Sequence, residues 1–140
     1  MNWQRLLIAF VAVYVLAAVL NFIIHGLFLM STYEGLSSIW RPDMDRLMWI
    51  QWVTGIFFSF FFVYIFVRGY EAKGVLESVR FGLIIWGFAS IPMIYGQYMV
   101  YPLPYSLVLK WLFTDLLVLI ILGITVALIY KPQQESSRKF

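Results

Sequence analysis

At 140 residues the chain has room for one domain, and 63% of it is hydrophobic with only 12% charged, against about 25% charged in an ordinary soluble domain. A soluble chain this apolar could not cover its own surface, so lipid is the expected solvent. The net charge of +3 is scattered over segment ends without a basic stripe, which speaks for topology and anionic headgroups and against nucleic acid, and the lack of cysteine excludes disulfide frameworks, thiol catalysis and Cys-ligated metal centres.

The first apolar run covers about 3–30. Arg5 precedes it, as in a signal peptide, but the run is much longer than an h-region of ~7–15 residues, so a retained span is expected. The connection that follows carries Glu34, Trp40, Arg41, Pro42, Asp43 and Asp45. Pro42 should stop any preceding helix, and Pro42 or Asp43 suits the start of the second span, about 47–67. Gly69 is placed to end that span, and Gly74 to break the hydrophilic stretch after it. The third span, about 79–101, contains Pro92, which removes a hydrogen bond to the Phe88 carbonyl and should kink the helix. Pro102 and Pro104 make the next connection stiff and extended, the fourth span covers about 106–130, and a polar cytoplasmic tail is expected over 131–140. Each stretch meets the ~20 residues a helix needs to cross the hydrocarbon core. Continuous runs such as Phe60-Phe61-Phe62-Val63 lack the alternation of a barrel strand.

The expected fold is therefore an all-α integral membrane protein, a single four-helix transmembrane domain over 1–130 with its third helix kinked at Pro92. The N-terminus, the second connection and the tail share a side and carry Arg5, Arg68, Lys73, Arg80, Lys131, Arg138 and Lys139; Arg41, Arg46 and Lys110 lie opposite. Basic residues favour the cytoplasm, so both termini are expected inside, in a cell membrane and preferably a bacterial inner membrane.

Small and polar residues at helical spacing mark the faces expected to meet. They are Tyr14, Ala18, Asn21, His25 and Thr32 in span 1; Gln51, Gly55 and Ser59 in span 2; Gly82, Trp86, Ser90, Met93 and Gln97 in span 3; and Asp115, Leu119, Gly123 and Ala127 in span 4. Five of these form a candidate ligand or proton site in the outer half of the membrane: Asp115, His25, Asn21, Gln51 and Gln97. Glu34, Trp40, Arg41, Tyr98, Tyr101 and Lys110 are expected at its rim. A carboxylate inside a span costs about 2.5–3.5 kcal/mol on insertion scales, so Asp115 calls for protonation or a partner such as His25, Lys110 or Arg41. A single histidine is poor material for zinc catalysis, and no cofactor is implied beyond the remote option of His25 as one axial ligand to a haem or chlorophyll.

No catalytic motif is recognisable. The expected function is a non-enzymatic membrane module: an accessory or assembly subunit, or a small-ligand-binding bundle, in a homo-oligomer or larger membrane complex. The alternative is a dimeric transporter of a small amphiphile with Asp115 as its proton-coupling group, and less favoured is a lipid-modifying enzyme.

Overall fold

The computed structural model describes residues 1–131. The tail beyond Lys131 lies outside the described residues. The chain is a bundle of four helices long and apolar enough to cross a membrane: Trp3–Phe28, Met44–Arg68, Val75–Val100 and Tyr105–Ile129. At ~1.5 Å per residue, 25 or 26 residues reach about 38 Å, beyond the ~30 Å hydrocarbon thickness.

Three of the four are not α-helical throughout. Span 1 is α1 (Trp3–Asn21) followed by a π-helical segment, Phe22–Phe28, then a short α2 (Met30–Glu34) beyond the span. Span 2 opens with a 3₁₀ turn, Met44–Leu47, and continues as α3 (Met48–Arg68). Span 3 is α4 (Val75–Ile85), a second π-helical segment Trp86–Ser90, and α5 (Ile91–Val100); span 4 is one helix, α6 (Tyr105–Ile129). The second π segment is the local form of the interruption expected at Pro92. Proline has no N–H to donate, and just before it the Ile91 N–H reaches back five residues to the Trp86 carbonyl, widening the turn.

The connections follow their residue types with two adjustments. Tyr101 and Pro104 are extended, as their proline context demands, and buried Leu103 plugs inward between the prolines. Asp43 occupies the start of the 3₁₀ turn but does not cap it: its carboxylate takes two bonds from Arg41, at 2.7 and 3.2 Å. Helix α4 begins at Val75, a turn earlier than 79. The reason is Glu77, which is buried because its carboxylate accepts the backbone N–H groups of Glu71 (2.6 Å) and Lys73 (2.8 Å). A buried carboxylate with two donors can enter a helix that its charge alone would have ended.

Helix α1 packs on both α3 and α6, and α6 also packs on α4. Spans 1 and 4 are thus central and spans 2 and 3 flank them. Near the termini the flanking spans meet through Phe81, whose ring sits 5.0 Å from Phe62 and 5.1 Å from Phe66. The main core lies in this half and joins Leu6, Ala9, Val13 and Ala17 to Phe62, Val63, Phe66, Leu119, Leu122 and Val126. The buried stripe of span 1, Leu6, Ala9, Val13 and Ala17, is therefore one residue off the expected Tyr14–Ala18 line, because α1 is gripped from two sides, by α3 and α6. Spans 3 and 4 approach closest: a Cβ built on Gly82 would lie 3.1 Å from the Ile120 backbone, and one on Gly123 would lie 2.9 Å from the Ser78 carbonyl oxygen. The ends are clasped as well, with the Asn2 N–H on the Tyr130 hydroxyl at 3.0 Å and Arg5 on the Lys131 carbonyl.

Candidate functional site

At the end away from the termini the bundle opens. The first connection does not hang free there. It folds over the bundle end and packs Tyr33, Leu36, Ile39 and Trp40 against Leu29, Leu103, Leu107 and Trp111, a second small apolar cluster. Beneath this cap lies a cavity of about 530 Å³.

All four spans and the cap contribute to its wall. Span 1 supplies Asn21, Ile24 and His25; the cap supplies Tyr33 and Trp40; span 2 supplies Met44 and Gln51. Span 3 supplies Met93, Ile94 and Gln97, and span 4 supplies Trp111, Thr114, Asp115 and Val118. Both π-helical segments border it: His25 lies within one, and the other ends at Ser90, beside Asp115.

Tyr33 organises one wall. Its hydroxyl accepts the indole N–H of Trp111 at 2.7 Å and pairs with His25 Nδ1 at 2.5 Å, while its backbone carbonyl accepts the Trp40 indole N–H at 3.1 Å. Burial pushes the Tyr33 phenol above its ordinary value of 10, opposed in part by the Trp111 hydrogen bond, so the hydroxyl keeps its proton at neutral pH. Which of the two donates in the Tyr33–His25 bond depends on the imidazole tautomer. When the phenol donates, a neutral imidazole carries its ring proton on Nε2. The Tyr33 and His25 rings are nearly parallel, 11° apart with centroids at 5.9 Å, and Trp40 stands edge-on to Tyr33.

Asp115 sits ten residues into α6, about 15 Å along the helix at ~1.5 Å per residue. Its carboxylate lies beside buried Ser90 of span 3 and close enough to His25 of span 1 for their charges to interact. One turn back, the Trp86 indole N–H donates to the Leu112 carbonyl at 2.9 Å and fixes spans 3 and 4 beside the carboxylate.

The structure thus brings together Asp115, His25, Asn21, Gln51 and Gln97 around one cavity. Of the six residues placed at the rim, Trp40 lines it and Glu34, Arg41, Tyr98, Tyr101 and Lys110 do not. Arg41 is engaged by Asp43, and the Tyr98 ring packs edge-on to Tyr105 at 5.6 Å. Sequence reasoning missed Tyr33 and Trp111. Trp111 had a usable signal, being four residues before Asp115 and so on its face; Tyr33 had none, since a connection has no period to read. Among the described residues no three His, Asp or Glu side chains are grouped as metal ligands. Comparison with protein-family models, with characterised proteins and with solved structures finds no match to this chain.

Proposed function

We propose that this protein is a small membrane module that holds a small amphiphilic molecule in the cavity at the open end of its bundle, facing the periplasm or cell exterior, and that it works as a ligand-binding or accessory subunit without catalysing a reaction. The observation that carries this reading is the cavity: about 530 Å³, walled by every span and covered by an ordered cap. Its volume falls within the ~300–1,000 Å³ of small-molecule sites. Its wall is mostly apolar and aromatic, with a few convergent polar groups to orient a guest. The positive charge on the terminal side supports the outward orientation. Native mass spectrometry of the protein released from mild detergent is expected to show a small-molecule adduct. Thr114→Trp, which puts an indole into the cavity beside Asp115, should weaken it. An adduct retained in full by Thr114→Trp, or no adduct in either, would refute the reading.

A second reading is supported by the nearness of Asp115 to His25. Two ionisable side chains on different spans could pass a proton, as a dimeric transporter with Asp115 as its coupling group would require. In that case Asp115→Asn should abolish proton-driven uptake in vesicles while leaving the protein folded, and undiminished uptake would remove Asp115 from any transport mechanism.

A further inference from the structure

Resting on the cavity-binding reading above, we infer that the guest is a lipophilic organic monocation, its charged centre on Asp115 and its apolar body against the aromatic cap. Three independent features of the wall meet in this assignment.

The first is charge. Asp115 is the only acid among the lining residues, and no Lys or Arg stands with it. Lys110, one turn from Asp115 on the same helix, does not line the cavity, and Arg41 is held by Asp43. Asp115 thus has a histidine nearby and the hydroxyl of Ser90 beside it, but no Lys or Arg among the described lining residues. A carboxylate in a low-dielectric wall attracts a positive centre far more strongly than it would in water.

The second is the rings. Tyr33, Trp40 and Trp111 form a contiguous wall, with centroids 5.7 Å apart for Tyr33 and Trp40 and 6.4 Å for Tyr33 and Trp111. Both indole N–H groups are already bonded, to the Tyr33 hydroxyl and carbonyl. Their edges are thereby spent inside the protein, and what remains for a guest is the π faces, which carry the negative potential that binds cations.

The third is softness. Met44 and Met93 add two flexible thioethers to the same wall. Such side chains adapt to irregular apolar bodies without demanding a particular hydrogen-bonding pattern. An anionic guest would face Asp115 with no Lys or Arg among the described lining residues to receive it. A neutral guest could use the amides of Gln51 and Gln97 but would leave the carboxylate uncompensated.

The test uses the full chain in nanodiscs of zwitterionic lipid, with empty nanodiscs as the blank. Two probes share a triphenyl body: methyltriphenylphosphonium, a cation, and triphenylphosphine oxide, which is neutral. Equilibrium dialysis should show saturable binding of the cation and roughly tenfold weaker binding of the oxide, about 1.4 kcal/mol. Asp115→Asn should reduce the cation to the level of the oxide and leave the oxide unchanged, whereas Asp115→Glu should keep the preference. Equal saturable binding of both probes overturns the cation assignment and leaves the cavity reading standing. Saturable binding of neither, or binding that Thr114→Trp does not weaken, overturns the cavity reading itself. Should Asp115→Asn fail to fold, the wild-type pair of affinities together with Asp115→Glu decides the matter.

Discussion

Gly123→Val is expected to cost the bundle about 3 kcal/mol, at the upper end of what overpacking does to a packed interior. The reason is the crossing of spans 3 and 4. A Cβ at Gly123 would stand 2.9 Å from the Ser78 carbonyl oxygen and 3.6 Å from its carbon. Both are backbone atoms, so no side chain can rotate aside; the helices themselves must separate. Gly82 faces the same constraint from the other helix, with Ile120 and Leu119 backbone atoms at 3.1 Å. In lipid there is little hydrophobic force to hold helices together, and contacts at backbone distance supply much of the attraction. Separating them would loosen the helix pair that holds Ser90 against Asp115. Gly96 is the control: nothing lies within 4 Å of a Cβ built there, so Gly96→Ala should be neutral or slightly stabilising through helix propensity. Unfolding in mixed detergent micelles with increasing SDS, followed by tryptophan fluorescence, measures both. Equal midpoints for Gly123→Val and the wild type would mean that spans 3 and 4 do not cross at these glycines.

The second large effect is expected at Tyr33. Tyr33→Phe deletes one oxygen and leaves two groups without their partner, the Trp111 indole N–H and His25 Nδ1. An unsatisfied, partly buried donor costs roughly 1–3 kcal/mol. The more specific expectation concerns additivity. Trp111→Phe removes the donor instead of the acceptor, so the double variant Tyr33→Phe/Trp111→Phe should be more stable than the sum of the single losses, by roughly 0.5–3 kcal/mol. The same denaturation assay reads this cycle. Strict additivity would show that the Tyr33–Trp111 hydrogen bond does not hold the cap on the bundle.

Much of this architecture is legible without coordinates. The number of spans and their approximate ends follow from apolar run length, because a helix in lipid must satisfy its backbone locally and be long enough to cross. Pro42, Gly69, Pro102 and Pro104 mark their turns for reasons internal to the residue. The five polar residues that meet at the cavity also stand out, since a polar side chain inside a span is costly wherever its helix packs. The glycine positions Gly82 and Gly123 were readable as contact faces but not as a mutual contact.

What the tertiary structure decided is of another kind. The order of helices, with spans 1 and 4 central, depends on which faces meet, and four greasy helices offer many near-equal choices. That order shifted the buried line of span 1 from Tyr14 and Ala18 to Val13 and Ala17. The path of the second connection determined that Glu77 could enter a helix, because it brings two backbone donors from six and four residues back onto the carboxylate. The cap was decided in the same way: Tyr33 reaches Trp111 across 78 positions of chain, a distance over which no spacing rule operates. Composition and local hydrogen-bonding demand thus determined that there are spans and polar groups within them, while only packing in three dimensions decided that those groups share one cavity and that a tyrosine from a connecting segment closes over it.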